Sequence, residues 1–132
     1  MSEVREGLLY SEDHEWMQML DPRTVRVGIS DFAQCQLGDV VFIELPEVGA
    51  AIHAGQNIGT IESVKTVSDL IAPVSGTVTK VNAVLIDQPE LVNEQPYHLG
   101  WMVEIECTEA AQAEIANLMD SEQYQAYIDE QP

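Results

Sequence analysis

Six short apolar runs punctuate the chain, at residues 24–29, 40–45, 58–64, 66–71, 76–81 and 101–107. They are four to eight residues long and rich in Val, Ile and Thr, whose branched side chains suit a pleated surface. Turn signals such as Leu37-Gly38-Asp39 and Pro73-Val74-Ser75-Gly76 separate them. No long helical pattern lies between the runs. The pattern therefore predicts an antiparallel barrel or sandwich rather than βαβ units.

Two helical pieces interrupt this rhythm. Ser30-Asp31-Phe32-Ala33-Gln34 opens with capping residues and predicts one or two helical turns before Gly38 stops them. In the tail, Ile115, Leu118 and Met119 form an i, i+3, i+4 apolar stripe that Tyr124, Tyr127 and Ile128 repeat. Ser121 or Asp120 is the expected cap of the second piece, and both stripes are expected to dock on the β core. A faint echo between 48–62 and 91–104, each reading turn, spacer and strand, hints at two similar halves. No Pro/Ala- or Gly/Ser-rich linker appears, and 132 residues suit one domain. Its core is expected over about 8–107 and its helical segment over about 109–128.

Charge changes the picture most. Asp and Glu number 23 against five Lys and Arg, a net charge of −18. The bases are Arg5, Arg23, Arg26, Lys65 and Lys80, and such a surface repels a nucleic-acid backbone. Anionic membranes are disfavoured on the same ground, and no apolar stretch approaches the roughly 20 residues that span a bilayer. An acidic surface favours solubility and encounter with partners whose entrances are basic. The first seven residues carry neither a signal-peptide core nor an Arg/Ser-rich transit pattern, which points to a bacterial cytoplasmic product.

Cys35 and Cys107 form no C-x-x-C, which fits free thiols in a reducing compartment and leaves one disulfide between them open. His14, His53 and His98 are spread too widely for a metal pattern and are expected on the surface or in caps. No nucleophile elbow, phosphate loop or dinucleotide fingerprint occurs. Among so many carboxylates, a close pair says nothing about glycoside hydrolysis.

One segment carries chemistry: Gly59-Thr60-Ile61-Glu62-Ser63-Val64-Lys65-Thr66-Val67-Ser68-Asp69-Leu70. Similar strand-like arms meet at Lys65, so the segment predicts a hairpin with the lysine at the tip of a tight turn. Lacking Asn-Gly or Asp-Gly, that turn is expected to be type I. A lysine so placed is within reach of a modifying enzyme while paired strands hold its anchor. Acylation would remove its charge and make it a long, flexible arm. Lys65 and Lys80 are the only lysines, so a modifying enzyme has few amines to confuse. Taken alone, a lysine between two valines and a threonine is more often an ordinary solvated turn residue.

The wider sequence resembles the glycine cleavage H-protein family over about residues 8–128. The resemblance begins at Tyr10-Ser11-Glu12-Asp13-His14-Glu15-Trp16 and continues through Val27-Gly28-Ile29-Ser30-Asp31-Phe32-Ala33-Gln34. It runs on over 37–49, Glu62-Ser63-Val64-Lys65, Ser68-Asp69, Ala72-Pro73-Val74-Ser75-Gly76 and Val81-Asn82. Pro89-Glu90-Leu91-Val92-Asn93-Glu94, Pro96-Tyr97 and Gly100-Trp101 close it, all in order and at family spacing.

By that resemblance the fold is a flattened antiparallel barrel-sandwich hybrid of the lipoyl/biotinyl type, with short helices and a helical tail. Lys65 matches the family's lipoylated lysine, which implies covalent lipoate and a carrier rather than an enzyme. The implied partners are a pyridoxal-phosphate glycine decarboxylase, a tetrahydrofolate-dependent aminomethyltransferase and a flavin dihydrolipoyl dehydrogenase, between which an aminomethyl group is shuttled. A lipoate ligase or lipoyl/octanoyl transferase is implied as the modifying enzyme, and a monomer is expected. Thr66 stands where many members have Ala, and Cys35 and His53 occupy positions expected to vary. Some members serve as lipoyl donors to other enzymes such as 2-oxo acid dehydrogenases, and that role stays open.

A loaded arm carries an amine, so a carboxylate in a surface groove would hold it and shield it from water. Glu15 is the first candidate and Asp69 the second. Glu62, Ser63, Ser68 and Asp69 flank the lysine and offer contacts to the modifying enzyme or the decarboxylase. Three rivals remain. A biotinyl domain is expected to set its lysine between methionines, and a lipoyl domain of an acyltransferase to continue through a flexible linker. A non-covalent binding module of acidic β-barrel type would need no modification at all.

Overall fold

The chain folds by pairing short strands into two antiparallel sheets, and the computed structural model describes residues 2–130. The strands are β1 (Leu9–Tyr10), β2 (Glu15–Met19), β3 (Thr24–Ile29), β4 (Val40–Glu44), β5 (Ala51–Ile52), β6 (Asn57–Ser63), β7 (Val67–Ile71), β8 (Gly76–Val81) and β9 (Val103–Cys107). The helices are α1 (Asp31–Leu37), α2 (Val84–Asp87), α3 (Leu91–Glu94), α4 (Ala111–Ala116) and α5 (Ser121–Asp129). One sheet has the order β1-β2-β3-β9-β8-β5 and the other β4-β6-β7. Neither closes on itself, so the fold is the sandwich side of the expected barrel-sandwich form. Val25, Val27 and Ile105 of the first sheet share one buried cluster with Ile43, Ile61 and Leu70 of the second. Burial of that apolar surface is what joins the layers.

All six runs form strands, while β1, β2 and β5 escape the pattern. β2 reads Glu15-Trp16-Met17-Gln18-Met19, with no branched residue to mark it. Pairing with β1 on one side and β3 on the other makes it a strand. Its Trp16 lies opposite Gly28, where a Cβ would sit 2.7 Å from the indole ring. Glycine here is room for tryptophan. The indole N–H donates to the carbonyl of Pro96 at 2.8 Å, so the buried ring keeps its polar edge satisfied.

The helices sharpen or correct the expectations. Ser30 caps α1 by accepting the Ala33 N–H, and Gly38, at φ 79°, ends it. α2 and α3 are single turns that periodicity is too short to reveal. The second half of the proposed echo fails there, because its opening segment is the helix α3. In the tail, α4 stops at Ala116, so Leu118 and Met119 do not extend its stripe. Met119 instead exchanges two backbone hydrogen bonds of 2.8 Å with Tyr10. Asp120, not Ser121, caps α5 and forms a capping box with Gln123. That helix buries Tyr124 and Ile128 against Tyr10 and Trp16, with the Tyr10 and Tyr124 rings stacked at 4.3 Å. Both thiols are free, Cys35 exposed on α1 and Cys107 half-buried at the end of β9. Among the described residues, no helix is long and apolar enough to cross a membrane.

Candidate functional site

Strands β6 and β7 form the hairpin that the sequence predicts, with Glu62 opposite Val67 as the last pair before the turn. Ser63 ties the turn locally. Its N–H donates to Thr66 O at 2.8 Å, and its hydroxyl oxygen accepts the N–H of Lys65 at 3.3 Å and of Thr66 at 3.1 Å. A hydroxyl standing in for a backbone partner is the usual way a serine stabilises a turn. Lys65 is exposed there, between Val64 and Val67, which are 70% and 61% exposed. Val64 N–H reaches out of the hairpin to Asp39 O at 3.0 Å. The lysine methylenes pass so close to Gly38 that a Cβ there would lie 3.3 Å from Lys65 Cε.

Beside the turn runs a groove of about 500 Å³ between α1 and β7. Phe32, Ala33 and Leu37 line one side, Thr66, Val67, Ser68 and Asp69 the other, and Asp13, His14 and Glu15 also border it. Of the residues singled out in the sequence, the groove brings together Glu15, Ser68 and Asp69. Glu62 and Ser63 do not line it: Glu62 pairs across to Phe42 and Val67, and Ser63 works inside the turn. The α1 wall was not foreseen as part of a site. Its signal was present in the apolar spacing of Phe32, Ala33 and Leu37, although the same side chains also pack with the two buried clusters.

Glu15 is no ordinary surface acid, being only 2% exposed. Its Oε2 accepts the Ile71 N–H at 2.9 Å and its Oε1 the Ser11 hydroxyl at 3.2 Å. The first bond stitches β2 of one sheet to β7 of the other. Burial pushes its pKa up to about 8 against the pull of the Ile71 amide, and the negative charge of Asp13 adds to the rise. The carboxyl therefore holds its proton at neutral pH.

His14 differs from the surface or capping role expected of the histidines. It is half-buried, with positive φ (65°), packs against Phe32, and shares a 2.9 Å hydrogen bond between Nδ1 and the Tyr124 hydroxyl. Burial lowers its pKa below the ordinary imidazole value, against the opposing pull of Asp13. The same Tyr124 hydroxyl lies 2.6 Å from Ser30 Oγ, and burial pushes its pKa up to about 12. One phenol on α5 thus braces both the groove's acidic end and the cap of its α1 wall.

A small two-sheet β scaffold that offers a lysine on a hairpin turn, beside a groove ending in a buried acid, is of a class that presents an amine at its surface. Comparison with known proteins gives the class a name. The family model described as Glycine cleavage H-protein matches residues 8–131. A glycine cleavage system H protein of Mycobacterium avium is 51% identical over 132 residues, covering 98% of this chain and all of that protein. Its counterpart in Bacillus velezensis is 56% identical over 115 residues, covering 87% of this chain and 88% of the relative. The crystal structure of a glycine cleavage system H protein from Mycobacterium marinum superposes with a TM-score of 0.86 at 37% identity, covering 96% of this chain and 99% of that one. The chain belongs to the glycine cleavage H-protein family.

Proposed function

We propose that Lys65 carries a covalent lipoyl arm, and that the chain shuttles the one-carbon unit of glycine among the enzymes of glycine cleavage in the bacterial cytoplasm. The observation that carries this reading is an exposed amine at a hairpin turn next to a groove that ends in the buried carboxyl of Glu15. The residues fit such a group. A turn tip gives a ligase or transferase access to the amine, and Phe32, Leu37 and Val67 offer apolar wall to a hydrocarbon arm. When bound, a lipoyl group supplies a disulfide that takes up an aminomethyl group at a pyridoxal-phosphate decarboxylase and yields it at a tetrahydrofolate-dependent transferase, with a flavin dehydrogenase restoring the disulfide.

The protein's own part is presentation and protection. Glu15 sits where an amine drawn into the groove would meet it. There the carboxyl passes its proton to the neutral amine and pairs with the ammonium so formed, a charge-assisted contact. Asp69, exposed on the β7 side, adds negative charge at the rim. The strongly acidic formal net charge of −18 suits enzymes with basic entrances, and association with them should weaken as salt is raised.

Intact mass and peptide mapping after co-expression with a lipoate ligase and lipoate test the reading. The expected result is one lipoyl adduct on Lys65, absent in Lys65→Arg. Unmodified Lys65 beside a fully modified control carrier would sink it and leave a β module that binds without covalent help.

A further inference from the structure

The hairpin leans on a shelf, the 38–40 link between α1 and β4. Val64 N–H donates to Asp39 O, Val40 pairs with Ser63, and the methylenes of Lys65 pass beside Gly38. One side chain from a distant element holds that shelf from behind. Asn93, on α3, donates from Nδ2 to Gly38 O at 2.8 Å and to Gln34 Oε1 at 3.0 Å, and its Oδ1 accepts the Val40 N–H at 2.8 Å. A single amide thus grips the backbone on both sides of Asp39, whose carbonyl anchors the hairpin. Gly38, at φ 79°, is a conformation that glycine permits but does not enforce. The amide supplies the constraint.

We propose that Asn93 is a positioning residue for Lys65, holding the shelf so that the amine stands in one orientation when an acylating enzyme reaches it. The proposal rests on the reading of Lys65 as the lipoyl site. In the acylation, the deprotonated Lys65 amine attacks the carbonyl carbon of lipoyl adenylate, a mixed acyl-phosphate anhydride that the ligase supplies. The N–C bond forms as the C–O bond to phosphate breaks, AMP leaves with the electron pair, and the amine's second proton passes to a base or solvent. Asn93 touches none of these atoms; it sets where the nitrogen stands, and small misplacements of a reacting atom are costly.

The test uses the full chain as wild type, Asn93→Ala, Asn93→Asp and a matched control, Asn82→Ala. Asn82 braces backbone in the same manner, donating to Leu99 O and Trp101 O at 2.8 Å each, but makes no bond to the shelf. Lipoylation rates with a lipoate ligase are measured by intact mass at varied carrier concentration, below the unfolding temperature of every variant. Hydrogen exchange at the Val64 amide is followed in parallel.

Asn93→Ala is expected to lower kcat about ten-fold while the KM for the carrier moves less than about three-fold, and to speed Val64 exchange about ten-fold. Asn82→Ala is expected to lose comparable thermal stability yet keep both readouts within about two-fold of wild type. Asn93→Asp keeps the acceptor for Val40 but turns a carboxylate oxygen toward Gly38 O. Its rate should therefore fall at least as far as that of Asn93→Ala between about pH 6 and pH 8, where an ordinary aspartate stays ionised and cannot donate. Wild-type rates in Asn93→Ala, or an equal loss in Asn82→Ala, would overturn the proposal and leave the carrier reading standing. No adduct on wild-type Lys65, with the ligase active on a control carrier, would overturn both.

Discussion

Two turns border one groove, and they are built in opposite ways. The turn between β6 and β7 is exposed, held by the hydroxyl of its own Ser63 and by one backbone bond to Asp39. The turn between β1 and β2 ends in Glu15 and Trp16, both buried, and is pinned from outside by Ile71, Pro96 and Tyr124. The contrast follows from what each turn has to offer. A lysine that enzymes must reach belongs on a surface tip. An acid that must hold its proton until an amine arrives needs a dry, rigid seat. Access and desolvation exclude one another at a single residue, so the fold separates them and lets a groove connect them.

The largest expected effect breaks the buried side. Trp16→Ala removes a ring that fills the space over Gly28 and should cost roughly 3–5 kcal/mol in urea unfolding, whereas Val64→Ala should stay within about 0.5 kcal/mol. Comparable losses would mean that the hairpin tip is less solvent-exposed in solution than its geometry shows.

Next in size is a pH effect. Glu15 has a folded pKa of about 8 against an ordinary carboxyl value near 4.5. A raised value means that the folded chain holds a proton the unfolded chain has released. Its contribution is therefore full below the unfolded value and is lost as pH rises through the folded one. Wild type should lose about 1 kcal/mol per pH unit relative to Glu15→Gln between about pH 5 and pH 8, since glutamine keeps the acceptor for Ile71 and cannot ionise. Parallel pH profiles for the two proteins would show that Glu15 is solvated rather than dry.

Legibility in the sequence follows the same divide. Strands such as β3 and β8 carry branched residues and declare themselves locally, as does the hairpin around Lys65. Ser30 and Gly38 likewise announce the ends of α1 at the positions where the structure puts them. β2 is different: nothing branched within Glu15-Trp16-Met17-Gln18-Met19 marks a strand, and its pairing with β1 and β3 makes it one. The proton on Glu15 is less legible still, because it depends on Ile71, far along the chain, closing over it from the other sheet. Asn93 could be quoted within a motif without its partners being visible, since Gly38 and Val40 lie more than fifty residues away. What local chemistry sets can be read directly; what burial and distant backbone set cannot.

The smallest expected effect sharpens the exposed side. Ser63→Ala removes the acceptor for the Lys65 and Thr66 N–H groups, but water can replace it at an exposed turn. Global stability should fall by no more than about 1 kcal/mol. Exchange at those two amides should quicken, while the Val64 amide, tied to Asp39, should hardly change. The lipoylation rate then ranks two supports of the amine. A smaller loss in Ser63→Ala than in Asn93→Ala would place the orientation of Lys65 in the shelf beneath the hairpin. The reverse order would place it in the turn itself, making the hairpin a self-sufficient presenting device.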